Sequence, residues 1–473
     1  MILSENKLLE MLPFPDDFLE ELTKAHKNMV NFIPSKQPYE FYHGSGYVFV
    51  GGGIYTWYSL LNIQIMRSIG SVLPIEVIIP TDEEYEEEPC EELLPKFNAK
   101  CVRLSTVFGS ESMDLLEVGG YQYKALALIA SSFDNTFLID ADSFSVLNPD
   151  LLFESEVYKK NGMITWPDYW RRTTSPKYYE VANITVEQKQ VRHLNDLQPP
   201  KPIKCNSAEE CDEEFKNNVN YHDRSGSIPE WSTESGQFLV RKSTHFDVLM
   251  LALYYNLDGP KGYYPLLSQS SAGEGDKETF VAAATYYGKS FYQVARQCYS
   301  IGRWQRPSGF WDQTTIIQGD PITDYEAFND LMNHKDSKSK AKTSTKDDKK
   351  DSETDTETTG EYNYKEDFKT KIEAGSNKPM FHHIHHPKLN PYKMWSSDVT
   401  QDIEGNKIRI LGDFYVKGEI DLETKLFELF KENLCDILQR ERGKAQFKAF
   451  EGEDRYYLCK FLNEHLDFLK KSY

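Results

Sequence analysis

Phe137-Leu138-Ile139-Asp140-Ala141-Asp142 is a short apolar run that ends in two carboxylates one residue apart. Bounded by Asn135 before and Asn148-Pro149 after, a run of this length reads as a buried strand of an α/β sheet. Asp140 and Asp142 then fall at the carboxyl end of that strand, where open α/β sheets place their ligands. Two carboxylates so close repel one another unless a cation lies between them. A strand running into an Asx-type turn, with both acids in water, is the other reading of these six residues.

The flanking sequence supports the sheet. Tyr47–Val50 (YVFV) is an apolar strand running into Gly51-Gly52-Gly53, and an amphipathic helix follows over about 55–69, carrying Leu60, Leu61, Ile65 and Ile69. Glycines in such a turn let backbone amides approach a phosphate or a base. The spacing is not GxGxxG, and a tight turn with no ligand reads the same way. Ile75–Ile79 (IEVII) and Cys101–Leu104 (CVRL) are two more strands, and a helix over 123–133 leads into FLIDAD. This alternation predicts an α/β fold: a Rossmann-like, mostly parallel sheet with flanking helices.

Four segments follow from the pattern. Residues 1–44 read as a polar helical stem, with Leu19, Leu22 and His26 on one face, and 45–334 as the main α/β domain. Residues 335–361 hold almost no apolar side chains and read as a disordered charged insertion, unable to offset the entropy of ordering. Residues 362–473 complete the domain, through PMFHHIHHPKLNP at 379–391 and two amphipathic C-terminal helices.

A formal charge of −20 argues against broad nucleic-acid binding, which rests on Lys and Arg neutralising phosphates. An anionic ligand would need a local basic or metal-filled pocket. An aromatic content of 13% suits stacking on sugars or bases as well as core packing. The seven cysteines form no CxxC pair, which weakens zinc-ribbon and thioredoxin-like readings; Cys205–Cys211 and Cys435–Cys459 are the local disulfide candidates. Asn183-Ile184-Thr185 is the one glycosylation sequon. No stretch is apolar enough to span a bilayer and the first residues do not form a signal peptide, so the chain reads as soluble, its membrane attachment requiring an anchor outside this sequence.

Several groups carry chemistry. Asp140 and Asp142 supply hard oxygen ligands for a divalent cation. Four histidines (382, 383, 385 and 386) precede Lys388, and an imidazole added to two carboxylates favours Mn²⁺ over Mg²⁺ or Ca²⁺. Lys388 and Lys124 are candidates for diphosphate contact, with a solvated lysine as the alternative. Glu274 and Asp276 in GEGDKE are candidates for sugar contact or proton transfer, Asp276 reading equally as a helix N-cap. Trp166, Asp168 and Trp170 in WPDYW have the character of a carbohydrate platform, or of an aromatic core cluster. Asp312 in FWDQT is a weaker member of the same class.

Together KALALIASSFDNTFLIDADSFSVLNPDLLF, WPDYWRR, SGQFLV, GEGDKETFVAAA and the F-x-H-x-x-x-P-K segment at 381–388 resemble the fungal Golgi α-mannosyltransferases related to the α-1,2-branching enzymes of N-glycan outer chains. The likeness runs from about 45 to 395, with five separated motifs in order. It implies a GT-A fold, a GDP-mannose donor, a mannose-containing glycan acceptor, Mn²⁺ and retention of anomeric configuration. It also implies a Golgi lumenal enzyme with a type II membrane anchor, which this sequence lacks. On the resemblance, Asp140 and Asp142 bridge metal and nucleotide diphosphate, His383 is the metal-binding histidine and Lys388 the lysine after it. Gly52 and Tyr55 face the nucleotide, and Glu274 and Asp276 lie near the sugar. No residue identifies itself as a nucleophile.

Three rivals remain at this level. The family also contains α-1,3-transferases. A non-catalytic carbohydrate-binding or accessory protein could keep the fold, although an intact acid pair with His383 argues against it. A phosphatase of the haloacid dehalogenase type wants Thr or Val two residues past the second aspartate, where this chain has Phe144.

Overall fold

The computed structural model describes residues 2–38, 40–193, 203–305, 310–331, 378–412, 420–436 and 447–472. The insertion expected at 335–361 lies outside the described residues.

In chain order the strands are β1 (Ser45–Val50), β2 (Ile75–Ile79), β3 (Ala99–Arg103), β4 (Asn135–Ile139), β5 (Ser143–Ser145), β6 (Met163–Pro167), β7 (Thr233–Arg241), β8 (Tyr292–Gln293), β9 (Tyr299–Gln305), β10 (Phe310–Gly319) and β11 (Pro379–Ile384). Seven of them form one sheet in the order β3-β2-β1-β4-β7-β6-β8. Its pairs are parallel except where β7 lies between β4 and β6, antiparallel to both. With Ile139 opposite Gln237 and Asn135 opposite Arg241, the amino end of β7 lies beside the carboxyl end of β4. A second sheet, not foreseen from sequence, has the antiparallel order β5-β11-β10-β9. Together they make an α/β fold, with a mostly parallel main sheet and flanking helices.

The large sheet is covered on both faces, which is why its strands read as continuous apolar runs. Alternation along each strand sends Tyr47, Phe49, Phe137 and Ile139 to one core and Val48 and Leu138 to the other. The first core holds Trp57 of the Ile54–Ser68 helix and the C-terminal helices Leu422–Lys431 and Arg455–Lys471. Trp57 donates its indole N–H to the Leu389 carbonyl at 3.0 Å, and Phe447 and Phe450 meet its ring edge-on at 5.3 Å each. The second core is lined by the helices Gln122–Ala130, Lys242–Leu257 and Thr279–Tyr286. Two helices, Glu5–Met11 and Asp16–Val30, lead the chain and pack on this side: Leu22 and His26 are buried, and His26 bonds the Tyr255 hydroxyl at 2.8 Å.

Three disulfides tie the periphery: Cys205–Cys211, Cys435–Cys459 and Cys90–Cys101. The last joins the acidic loop after β2 to β3, a pairing that cysteine spacing alone did not single out. No helix among the described residues is long and apolar enough to cross a membrane.

Candidate active site

β4 ends at Ile139, and the chain turns at once. Ser143 N–H bonds the Asp140 carbonyl at 2.9 Å, so Asp140 and Asp142 sit on one tight turn between β4 and β5. The turn is fixed from both sides. Asp140 N–H bonds the Gly236 carbonyl (2.8 Å), Ile384 N–H bonds the Asp142 carbonyl (2.9 Å), and Asn62 donates to the Ser143 carbonyl (2.7 Å). Because β11 pairs antiparallel with β5, His383 lies opposite Ser143 and its ring reaches Asp142. Strand periodicity sorts the histidines: His383 and Phe381 share one face of β11, and His382 is turned to the other. One ligand atom each from Asp140, Asp142 and His383 lies within 4.8 Å of the others.

Charge is balanced tightly here. His383 Nε2 is 3.2 Å from Asp142 Oδ1, and Lys388 Nζ is 2.6 Å from Asp142 Oδ2. Burial alone would raise the Asp142 pKa, but His383 and Lys388 outweigh it and hold the carboxyl far below its usual range. Burial likewise works against a charged His383, yet Asp142 and Glu234 carry its pKa up to about 9. Lys124 Nζ lies 2.8 Å from Asp140 Oδ2 and 3.1 Å from the Ser235 carbonyl. Behind it Asp276 is buried; Oδ1 accepts from Ser235 Oγ at 3.1 Å, while Oδ2 has no hydrogen-bond partner. Burial pushes its pKa up to about 6, with Lys124 opposing and Asp140 adding.

The three atoms fit a divalent cation: hard oxygens with one imidazole, converging on a spot that already draws the Lys388 ammonium.

Some of the other residues singled out from sequence are placed differently from expectation. Trp166 is a core residue, not a platform: it is fully buried, stacks on Phe137 at 5.9 Å and spends its N–H on the Gly319 carbonyl. Asp168 is paired to Lys277 at 2.6 Å and buried, so no carboxylate is free there for a hydroxyl. Trp170 is 52% exposed, the one of the two indole rings open to a ligand. Glu274 closes its own turn by accepting from Ser270 N–H at 2.6 Å. Asp276 is not an N-cap; Gly275 precedes that helical turn without a side-chain cap. Lys124 is held by Asp140 and is not free for a diphosphate. Gly52 N–H is taken by Thr56 Oγ1 at 2.9 Å, and a Cβ at Gly52, whose φ is +96°, would lie 2.7 Å from Glu84 Oε2. Tyr55 stands exposed beside this turn, edge-on to Tyr58. Asp312 is engaged by Arg303 at 3.0 Å.

Sequence reasoning missed Glu234. Its Oε1 accepts from Gly236 N–H at 2.7 Å and lies 3.7 Å from His383 Nδ1. The sequence signal was adjacent: Ser235-Gly236-Gln237 drew notice, and the acid just before it did not.

A mannosyltransferase family, its profile described as "Mannosyltransferase putative", matches residues 44–321. Alpha-1,2-mannosyltransferase MNN21 of Candida albicans is 36% identical over all of this chain and 69% of its own length. Alpha-1,2-mannosyltransferase MNN2 of Saccharomyces cerevisiae is 35% identical over all of this chain and 78% of its own. Alpha-1,2-mannosyltransferase MNN5 of the same yeast is 31% identical over 96% of this chain and 77% of its own. The solved glycosyltransferase GlyE of Streptococcus pneumoniae TIGR4 superposes with a TM-score of 0.30, at 10% identity over 53% of this chain and 45% of that one, which adds nothing to the topology described above. The matched span runs from the first strand of the large sheet to the end of β10 and encloses both aspartates, and on that match the chain belongs to this mannosyltransferase family.

Proposed function

We propose that the protein transfers mannose from GDP-mannose to mannose residues of N-glycan outer chains, forming α-1,2 linkages with retention and depending on Mn²⁺. The convergence of Asp140, Asp142 and His383 from distant parts of the chain carries this reading. In it the three residues hold the cation, which when bound neutralises charge building on the departing nucleotide diphosphate. Lys388, half-exposed, adds a second positive group on the diphosphate side. Lys124 keeps Asp140 oriented, and Asp276, buried behind it with one free oxygen, is the carboxyl group nearest in character to a sugar-hydroxyl acceptor. Trp170 supplies an aromatic surface for the acceptor glycan, and Tyr55 one for the donor's base. The protein's main contribution is to position the two sugars.

On this reading residues 1–44 are a stem laid against the catalytic domain of 45–334, which is completed by 362–473. Three disulfides support folding in an oxidising compartment, and we place the enzyme in the Golgi lumen.

Incubation of purified protein with a panel of nucleotide sugars and mannose acceptors, with and without Mn²⁺, followed by linkage analysis, tests each part. Transfer only from GDP-mannose, only with metal, and only to O2 is the expected result. An α-1,3 product would transfer the assignment to that linkage, and binding without transfer would make the protein an accessory lectin.

A further inference from the structure

An imidazole that offers Nε2 to a cation carries its proton on Nδ1, and the acceptor of that N–H sets the ring's orientation and basicity. Nδ1 of His383 is buried and makes no hydrogen bond. A buried donor left in that state costs about 1–3 kcal/mol, so the identity of the group facing it matters.

That group is Glu234, with Oε1 3.7 Å from Nδ1. The separation is too long for a hydrogen bond while Nε2 is directed at Asp142 Oδ1, 3.2 Å away. Glu234 is nevertheless fixed in its direction. Oε1 accepts from Gly236 N–H at 2.7 Å, and the backbone at 234 is registered against Trp166 of β6. The carboxylate therefore cannot swing away without breaking its bond to its own strand.

A second observation points the same way. A Cβ on residue 236 would lie 2.8 Å from His383 Nδ1 and 3.1 Å from Glu234 Oε1. Any side chain there would wedge between the carboxylate and the imidazole. The φ of Gly236 is not in the left-handed region, so the backbone does not call for glycine; the space between these two side chains does.

We infer that Glu234 is the positioning residue of the metal centre: its Oε1 accepts the Nδ1 proton of His383 and aims Nε2 at the site between Asp140 and Asp142, with Gly236 as the spacer that admits the contact. This rests on the reading of Asp140, Asp142 and His383 as metal ligands. Glu234 acts through the histidine and need not touch the ion.

The test is Mn²⁺ affinity, read from the free Mn²⁺ signal by electron paramagnetic resonance with saturating GDP and no turnover. Wild type, Glu234→Ala, Glu234→Gln, Gly236→Ala, His383→Ala and the Glu234→Ala/His383→Ala pair are compared. Glu234→Ala should weaken Mn²⁺ binding by about 10–100-fold. Glu234→Gln, nearly isosteric and still able to accept through its amide oxygen, should lose less and guards against misfolding of the alanine variant. Gly236→Ala should lose affinity with Glu234 intact. In the His383→Ala background, adding Glu234→Ala should change affinity by less than about 2-fold, because the residue it serves is gone.

Unchanged affinity in Glu234→Ala, while His383→Ala loses it, would overturn this inference and leave the metal reading standing. An equally large loss with and without His383 would also overturn it, since Glu234 would then act on its own. Wild type that takes up no Mn²⁺ would remove the metal reading and the inference together.

Discussion

Lys388 places its ammonium 2.6 Å from Asp142 Oδ2 while about half of its side chain stays exposed. One end of the contact is buried and the other is in water. The lysine compensates the buried carboxylate, and on the proposed function its half-exposed chain would turn to the diphosphate of a bound donor.

Lys388→Ala should therefore act on donor binding more than on folding. Loss of one charged hydrogen bond is worth about 2 kcal/mol, roughly 30-fold in the KM for GDP-mannose. Steady-state kinetics at saturating Mn²⁺ check this. A fall in kcat at unchanged KM would mean that the lysine stays on Asp142 throughout.

Asp276 sets a pH dependence on stability. Its folded pKa of about 6 lies above the ordinary aspartate value near 4. Between those values the native state holds a proton that the unfolded chain has released, so this group's contribution falls as pH rises from about 4 to 6 and stays unfavourable above. The magnitude is on the order of 3 kcal/mol. Asp276→Asn should raise Tm at pH 7.5 but not at pH 4, and should lower transfer activity. An equal Tm change at both pH values in scanning calorimetry would show that the carboxyl is not perturbed in the folded state.

If His383 is a metal ligand as proposed, protons and metal compete for its ring. Its raised pKa adds stability to the metal-free protein that is full below about 6.5 and lost as pH climbs through about 9. Metal requires the neutral ring, so Mn²⁺ affinity should increase between pH 7 and 8.5, by up to about 10-fold per unit. Calorimetric titration at the two pH values measures it, and a flat response would argue that another group supplies the ligand.

The two tryptophans of WPDYW should separate cleanly. Trp166→Ala empties a site in the main core and should cost about 3–5 kcal/mol. Trp170→Ala should stay within about 0.5 kcal/mol of wild type and raise the KM for the acceptor glycan. Urea unfolding together with acceptor kinetics distinguishes them; an unaltered acceptor KM would remove Trp170 from the site.

Much of this was legible because it rests on local pattern. IEVII is a strand with exactly the bounds its apolar run implies, and the acid pair ends its strand as an apolar-to-acidic boundary should. His383 was told apart from its three neighbours only by the resemblance of the 381–388 segment to the family motif. What was hidden depends on pairing across the chain. WPDYW alternates aromatic and acid like a ligand-binding surface, but β6 lies inside the sheet and the ring of Trp166 goes to the core. Glu234 reads as an ordinary polar residue before a strand until β7 is seen to run against its neighbours, which brings that end to the acids. Cys90 and Cys101 could be joined only once the loop between β2 and β3 was known to fold back.

The pairing of β11 with β5 has a consequence for biosynthesis. Asp142 and His383 are neighbours in space but emerge from the ribosome with about half the polypeptide between them. A nascent chain that has already completed β1 to β4 has no imidazole to set beside the acid pair until the segment beyond β10 is made and docked. On the proposed metal reading the complete site would therefore arrive late, only once β11 is paired with β5.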